Sequence, residues 1–202
     1  MDKYLTDTIL GVIDVTFPMV IISVVVAILL RISYLIKNKI HFTLHKELFM
    51  LAFIIYILCL FQVVTLQDTV SWSTNNFIPF KEILRYDIGS NLFLKNVIGN
   101  VLLFIPFGYF ISYILKVEKV YLPILIIFIT SIAIELVQLY IGRVFDVDDV
   151  ILNLIGGIIG YILYKIVTGI GKKFKIFDNE IVLDILSLLL LGIVIYIFII
   201  ML

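Results

Sequence analysis

The sequence predicts an all-α integral membrane protein, a polytopic bundle of about six transmembrane helices. Of its 202 residues, 63% are apolar and 15% are charged, whereas soluble domains are about half apolar and a quarter charged. The apolar residues fall in runs long enough to cross a hydrocarbon core as helices, and the short alternating segments of a β-barrel are absent. These two observations assign the chain to a bilayer.

Charge and cysteine content exclude several other classes of protein. The 15 basic residues are balanced by 15 acidic ones, so the chain lacks the basic excess typical of a nucleic-acid binder. Its one cysteine cannot build a disulfide framework or a thiolate metal cage. The apolar run after Lys3 is too long for a cleavable signal and has no small-residue cleavage site.

Six apolar runs are candidates for membrane spans. They lie at 9–36, 48–66, 97–115, 120–141, 150–168 and 182–202. No linker, low-complexity tract or repeat separates them. We therefore predict a single integral membrane domain over residues 1–202.

The distribution of lysine and arginine predicts the orientation, because basic residues are enriched in cytoplasmic loops. The odd-numbered loops and their flanks hold twice as many basic residues as the other side. The two sets are Arg31, Lys37, Lys39, Lys46, Lys116, Lys119, Lys165, Lys172, Lys173 and Lys175, against Lys3, Lys81, Arg85, Lys95 and Arg143. We predict that the odd-numbered loops are cytoplasmic and that both termini lie outside.

The loop after the second span, residues 67–96, is the only long one in the predicted topology. It contains Trp72 and the mixed polar and aromatic stretch 75–80. Tryptophan and amphipathic segments settle at the membrane–water interface. We therefore predict an interfacial helix or re-entrant turn at the outer surface.

Polar side chains recur at one depth of the predicted bundle, near the outer ends of spans three to five. A carboxylate at mid-bilayer costs about 2.5–3.5 kcal/mol even on the most lenient scale, so such positions are informative. They are Asn96, Asn100, Ser131, Glu135, Gln138, Arg143, Asp146, Asp148, Asp149 and Asn153. Helical spacing places the residues of each span on a common face. We predict that they line a single polar cavity open to the outer leaflet.

Glu135 is the first candidate for acid/base chemistry or headgroup binding, because carboxylates within spans are functional by default. Asp146 and Asp149 are its candidate catalytic partners. Alternatives remain for each of them: Glu135 could form a structural ion pair with Arg143, and Asp149 could cap the fifth helix. Carboxylates also suit Mg²⁺ or Ca²⁺, but no known cation-loop spacing is present, so we predict no metal site. No motif identifies a cofactor.

Several polar residues are candidate ligand contacts. These are Asn76, Asn96, Asn100, Ser131, Gln138, Arg143 and Asn153. Arg143 has a planar guanidinium that can bind a phosphate or carboxylate with two hydrogen bonds, although pairing with Asp146 explains it equally well. The amides are equally suited to hydrogen bonds between helices. Gly156 and Gly160 form a small-residue face that permits close helix contact in lipid.

Taken together, these motifs resemble the VanZ-like membrane proteins, whose founding member is associated with teicoplanin resistance. The motifs are Asn76-x2-Pro79-Phe80, Asn96-x3-Asn100-x3-Phe104-x-Pro106-x-Gly108, Ser131-x3-Glu135-x2-Gln138 and Arg143-x2-Asp146-x2-Asp149-x3-Asn153-x2-Gly156-x3-Gly160. The resemblance covers about residues 50–168, and the helices at 9–36 and 182–202 lie outside it. It implies a membrane protein linked to glycopeptide resistance, and it supplies no settled reaction.

Three hypotheses follow for a multi-pass protein of the bacterial cell membrane. The first is an outer-leaflet protein that lowers the access of teicoplanin-like lipoglycopeptides to their targets, as the resemblance implies. The second is an intramembrane enzyme that modifies a lipid headgroup or a lipid-linked cell-wall precursor, with Glu135 as acid or base. The third, a transporter or flippase, is least favoured, because paired broken helices and polar residues in the inner half are absent. The partners expected are membrane lipid, a lipid-linked precursor or a lipoglycopeptide, and no nucleic acid.

Overall fold

The described chain is helical. The computed structural model describes residues 3–66, 75–174 and 179–201, with the side chains of 20–62, 75–171, 173 and 179–196. Within those residues the only β-structure is one isolated bridge between Asn76 and Asp146. The prediction of an all-α membrane helix bundle is confirmed. Trp72, part of the predicted interfacial segment, lies outside the described residues.

The described residues form six long helices. They are α1 (Lys3–Lys37), α2 (Leu44–Leu66), α3 (Asn91–Leu115), α4 (Tyr121–Tyr140), α5 (Val147–Phe174) and α6 (Glu180–Met201). A short 3-10 turn, Ile83–Arg85, precedes α3. Within α3, the segment Leu94–Ile98 is a wider π-helical turn.

Five of these helices contain segments long and apolar enough to cross a membrane, among the described residues. The segments are Val20–Lys37, Leu44–Gln62, Asn91–Leu115, Tyr121–Tyr140 and Val147–Gly171. They correspond to the first five predicted spans. The sixth predicted span, 182–202, falls on α6, part of which lies outside the described side chains, and its crossing stays a prediction.

All of these helices except α4 begin earlier than the hydropathy pattern predicts, and at α3 and α5 a polar residue before the first turn caps the helix. The third span was expected from 97, but α3 begins at Asn91, where the Ser90 hydroxyl accepts a hydrogen bond from the Phe93 N–H at 3.1 Å. A serine in this position satisfies a backbone donor that has no partner within the helix. The fifth span was expected from 150, but α5 begins at Val147.

The helices divide into two compact units, Met1–Val63 with Lys175–Leu202, and Val64–Phe174. In the first unit, Arg31 of α1 donates to both carboxylate oxygens of Glu47 on α2, at 2.7 and 3.0 Å. A second polar contact joins α2 to α6, because the His45 backbone N–H donates to an Asp184 oxygen at 2.9 Å. Apolar residues of α1, α2 and α6 form the core of this unit.

In the second unit, α3 and α5 touch backbone to backbone. A Cβ added to Gly156 would overlap the carbonyl oxygen of Val101, and one added to Gly160 would overlap that of Ile105. Gly108 of α3 is equally close to the α5 backbone. The predicted close contact through Gly156 and Gly160 is therefore confirmed, and it fixes the register of the two helices.

The remaining helix, α4, packs on another face of α5. Ile127 fills the space beside Gly157, and the Asn153 amide donates to the Ser131 hydroxyl at 2.8 Å, with both side chains buried. This contact places the next polar residue of α4, Glu135, one turn nearer to the start of α5.

Candidate functional site

The start of α5 is capped by Asp146. Its Oδ1 atom accepts hydrogen bonds from the Asp148 backbone N–H at 2.9 Å and from the Asn76 amide at 2.8 Å. The cap satisfies a backbone donor of the first turn and lies at the positive end of the helix dipole. Burial raises the pKa of Asp146, and these two hydrogen bonds oppose the shift. The cap suggested for Asp149 is thus made by Asp146.

The segment that begins at Asn75 is attached to the same helix start. The Asn76 backbone N–H donates to the Phe145 carbonyl at 2.8 Å, and the Val147 N–H donates to the Asn76 carbonyl at 3.0 Å. The Asn76 side-chain oxygen accepts from the Ile78 N–H at 3.1 Å. Asn76 is therefore held by both its backbone and its side chain.

Asp148 holds the next part of this segment. One of its oxygens accepts from the Phe80 N–H, and the other accepts from the Glu82 N–H at 2.7 Å and the Ile83 N–H at 3.1 Å. The Asp148 residue is 1% exposed, so water cannot take the place of these bonds. One buried carboxylate thus fixes the backbone conformation of the residues that lead into the 3-10 turn.

Glu135 lies beneath the loop that joins α4 to α5 and is also 1% exposed. Its Oε2 atom accepts from the Asp146 N–H at 2.9 Å. The Gln138 side chain contacts both Glu135 and Arg143 when its amide nitrogen and oxygen are exchanged. In that orientation the Gln138 nitrogen donates to Glu135 Oε1 at 3.1 Å, and the Gln138 oxygen accepts from Arg143. The Gln138 amide thus links Glu135 to Arg143. The pairing considered for Arg143 and Asp146 stays a prediction, and the Asp146 Oδ1 atom binds Asn76 and the Asp148 N–H.

A cavity of about 550 Å³ lies at this end of α3 and α5. Its wall is formed by the segment before α3, the start of α3, the α4–α5 loop and the first turns of α5. Six residues predicted as site residues line it: Asn76, Asn96, Asn100, Arg143, Asp146 and Asp149. The other four lie buried in the helix packing outside this wall: Ser131, Glu135, Gln138 and Asn153.

Part of the wall was missed from the sequence. Arg85, the last residue of the 3-10 turn, lines the cavity together with Tyr86, Asp87 and Ser90, which lie between that turn and α3. The one available signal was the alternation of polar and apolar residues in this segment. The position of this segment depends on the backbone N–H groups that donate to Asp148. Every residue type except proline has such a group, so the sequence does not show which ones bind Asp148.

The four carboxylates around the start of α5 differ in what they bind. Glu135, Asp146 and Asp148 each accept at least one backbone N–H. Asp149, in contrast, accepts from the Asn100 side-chain amide and, within the described residues, from no backbone donor. Among these four carboxylates, Asp149 is therefore the one that the fold uses least.

Tyr86 and Asn96 complete the wall next to Asp149. The Tyr86 hydroxyl and the Asn96 side chain are hydrogen-bonded, and burial raises the pKa of this tyrosine. We call Tyr86, Asn96, Asn100 and Asp149 the polar wall. It combines a phenol, two neutral amides and one carboxylate, a set that binds ligands through hydrogen bonds. In the described part of the chain, no group of three His, Cys, Asp or Glu residues is arranged to hold a metal ion.

The outside of the same segment is apolar. Leu84 and Ile88 are 82% and 91% exposed, and Phe77 stacks on Phe145 with the ring centroids 5.3 Å apart. Exposed apolar side chains on a short amphipathic segment suit the headgroup region of a bilayer. Exposed apolar side chains therefore lie on the outside of a segment whose polar residues line the cavity.

The residues that line the cavity fall within the region that matches a known family. A sequence model of the VanZ/LLP1 family matches residues 48–168. No curated protein and no solved structure matches the chain significantly. The family match spans more than half of the chain and includes every motif from Asn76 to Gly160. The chain belongs to the VanZ/LLP1 family of membrane proteins.

Proposed function

We propose that the protein acts at the outer leaflet of the bacterial cell membrane, where its cavity binds the headgroup of an amphiphile. Through this binding it lowers susceptibility to teicoplanin and similar lipoglycopeptides, the role that resemblance to the founding member of the family implies. One observation carries the proposal: a cavity lined by Arg143 and other polar side chains lies beside exposed apolar residues at the start of α3 and α5.

The placement of Arg143 supports headgroup binding. Its guanidinium contacts Gln138, which in turn contacts the buried Glu135. A side chain held in this way loses less conformational freedom when it binds a ligand. Arginine binds phosphate and carboxylate through paired hydrogen bonds, and both groups occur at the membrane surface.

The size and border of the cavity support an amphiphile rather than a wholly soluble ligand. A volume of about 550 Å³ accommodates a headgroup but not the chains of a lipid as well. The chains would lie in the bilayer beside apolar residues such as Leu84 and Ile88, which are exposed at the border. Binding to such a headgroup can withhold a lipid-linked precursor, or the lipid tail of the antibiotic, from its target.

A second candidate is an intramembrane enzyme that modifies a lipid headgroup or lipid-linked precursor. Asp149 favours it, because this carboxylate faces the cavity and the fold does not use it for a backbone hydrogen bond. The two candidates differ in turnover. Mass spectrometry of lipids and precursors incubated with the purified protein separates them, since only an enzyme yields a product of new mass.

The outer location is tested by labelling. Cys59 is the chain's one cysteine, so Cys59→Ala provides a cysteine-free background. In that background, Val144→Cys at the cavity wall should react with a membrane-impermeant maleimide on intact cells. Lys119→Cys, in the loop at the opposite end of α3 and α4, should react only after permeabilisation. The reverse pattern would contradict the proposed location.

The role of Arg143 is tested by Arg143→Lys, which keeps the charge and removes the planar guanidinium. Expression of the wild-type protein in a susceptible strain should raise the inhibitory concentration of teicoplanin. The variant should bind the headgroup about tenfold more weakly, the loss expected for one charge-assisted hydrogen bond. Most of the protection should disappear at equal protein level on a blot.

Arg31→Lys is the matched control, because Arg31 lies outside the cavity and lysine keeps the charge that pairs with Glu47. It should retain full protection. Full protection by Arg143→Lys would contradict the binding role.

A further inference from the structure

The chemistry of the polar wall indicates what kind of headgroup the cavity takes. Three of the four carboxylates at the start of α5 are engaged with backbone N–H groups. Asp149 instead receives its hydrogen bond from the neutral Asn100 amide. A carboxylate has two oxygens that accept several hydrogen bonds, so Asp149 retains accepting capacity on the cavity side.

The other three members of the polar wall are neutral. Asn96 and Asn100 each carry an amide that both donates and accepts, and Tyr86 carries a hydroxyl that does the same. Hydroxyl groups of a ligand need this combination, because each of them also donates and accepts. A phosphodiester has no O–H group that could donate to Asp149, so hydroxyls elsewhere in the headgroup must supply this donor.

Arg143 supplies the opposite charge within the same cavity. A ligand that satisfies both parts of the wall therefore carries an anionic group for the guanidinium and several hydroxyls for the polar wall. The cavity volume of about 550 Å³ lies within the range of about 300–1,000 Å³ found for sites that enclose drug-sized ligands. A sugar or polyol phosphate has this size, whereas a phosphate alone leaves most of the space empty.

We infer that the cavity binds an amphiphile with a hydroxyl-rich headgroup, a sugar or polyol joined to its chains through a phosphate. Asp149, Asn96, Asn100 and Tyr86 bind the hydroxyls, and Arg143 binds the phosphate. The inference rests on the proposed function, because it names the ligand of the same site. A polyol phospholipid, a lipid-linked wall precursor and a free sugar phosphate share this headgroup chemistry.

Native mass spectrometry of the purified full-length protein tests the inference. The probes are dioleoyl phosphatidylinositol, dioleoyl phosphatidylglycerol and dioleoyl phosphatidylethanolamine, which share their chains and phosphate and carry progressively fewer headgroup hydroxyls. Inositol 1-phosphate serves as the headgroup without chains. Phosphatidylinositol should be retained most strongly and phosphatidylethanolamine least, with a preference of about tenfold between them, the value of one hydrogen bond to a charged group. Inositol 1-phosphate should bind more weakly than phosphatidylinositol.

The variant Asp149→Asn removes the charge but keeps an oxygen that can accept from Asn100. It should lose most of the preference for phosphatidylinositol over phosphatidylglycerol, while binding to phosphatidylglycerol persists through Arg143. Glu118→Gln makes the same chemical change at the opposite end of α3 and should keep the preference. Tyr86→Phe removes a single hydroxyl from the polar wall and should reduce the preference several-fold. If Asp149→Asn folds poorly, this variant tests the same wall.

The outcomes separate the inference from the proposed function. Binding that depends on Arg143 but is equal for all three lipids, or that favours phosphatidylethanolamine, overturns the inference and leaves the proposed function standing. An undiminished preference in both Asp149→Asn and Tyr86→Phe also overturns the inference. Lipid binding that is unaffected by Arg143→Lys overturns the proposed function. If inositol 1-phosphate binds as tightly as phosphatidylinositol, the result supports the headgroup chemistry and overturns the claim that the ligand is an amphiphile.

Discussion

Asp148→Asn should release the segment before α3 and open the cavity wall. The wild-type carboxylate accepts three backbone N–H groups, from Phe80, Glu82 and Ile83, in a buried position. Asparagine has one accepting oxygen, and its NH₂ group would face backbone N–H groups, which cannot accept a hydrogen bond. Each buried donor left without a partner costs about 1–3 kcal/mol, so a loss of about 3 kcal/mol is expected.

Two measurements check this result in the detergent-purified protein. The unfolding midpoint should fall, and trypsin should cleave faster after Lys81 and Arg85, which lie on the released segment. Asp87→Asn is the matched control, because Asp87 lines the same cavity but is exposed. Equal stability and equal cleavage of the two variants would contradict the role of Asp148.

Gly156→Ala should separate α3 from α5. The added methyl group would overlap the Val101 carbonyl oxygen and press on the Phe104 side chain, and the backbone oxygen cannot move without displacing its helix. Overpacking of this kind costs about 1–3 kcal/mol. The variant should unfold at lower denaturant concentration and yield less monodisperse protein.

Gly169→Ala is a control on the same helix. No atom lies within 4 Å of the position that its Cβ would take, and alanine favours a helix over glycine by about 1 kcal/mol. This variant should be as stable as the wild type or slightly more stable. If both alanine variants behave alike, the close contact of α3 and α5 does not determine stability.

Sequence patterns predicted most of the helical architecture. Apolar runs of about 20 residues have few alternatives to a spanning helix, and the small residues Gly156 and Gly160 indicated the contact that the structure contains. Helix starts were harder, because hydropathy detects only the apolar part of a helix. Ser90 and Asp146 extend α3 and α5 towards polar sequence through capping hydrogen bonds.

The sequence predicted which polar residues share a helix face, but it did not predict which of them reach the cavity. Helical spacing correctly grouped Ser131 with Glu135 and Gln138 on one face of α4. Spacing gives the angle of a residue around its helix, but it does not show whether another helix covers that face. These residues lie in the packing between helices, outside the cavity wall. The neighbours Asp148 and Asp149 look alike in sequence, and only partners 49 or more positions away along the chain distinguish them.

The π-helical turn Leu94–Ile98 has a consequence for the ligand. Such a turn contains one residue more than an α-helix would use, and the rest of α3, Gly99–Leu115, is locked against α5 by its glycine contacts. An α-helix through the same five residues would rotate the chain before the turn by about 100° about the helix axis. Asn96 lies within the turn and would be rotated part of that way, while Asn100 stayed in place. At this point the width of one helical turn, without any change in residue type, determines which side chains face the ligand.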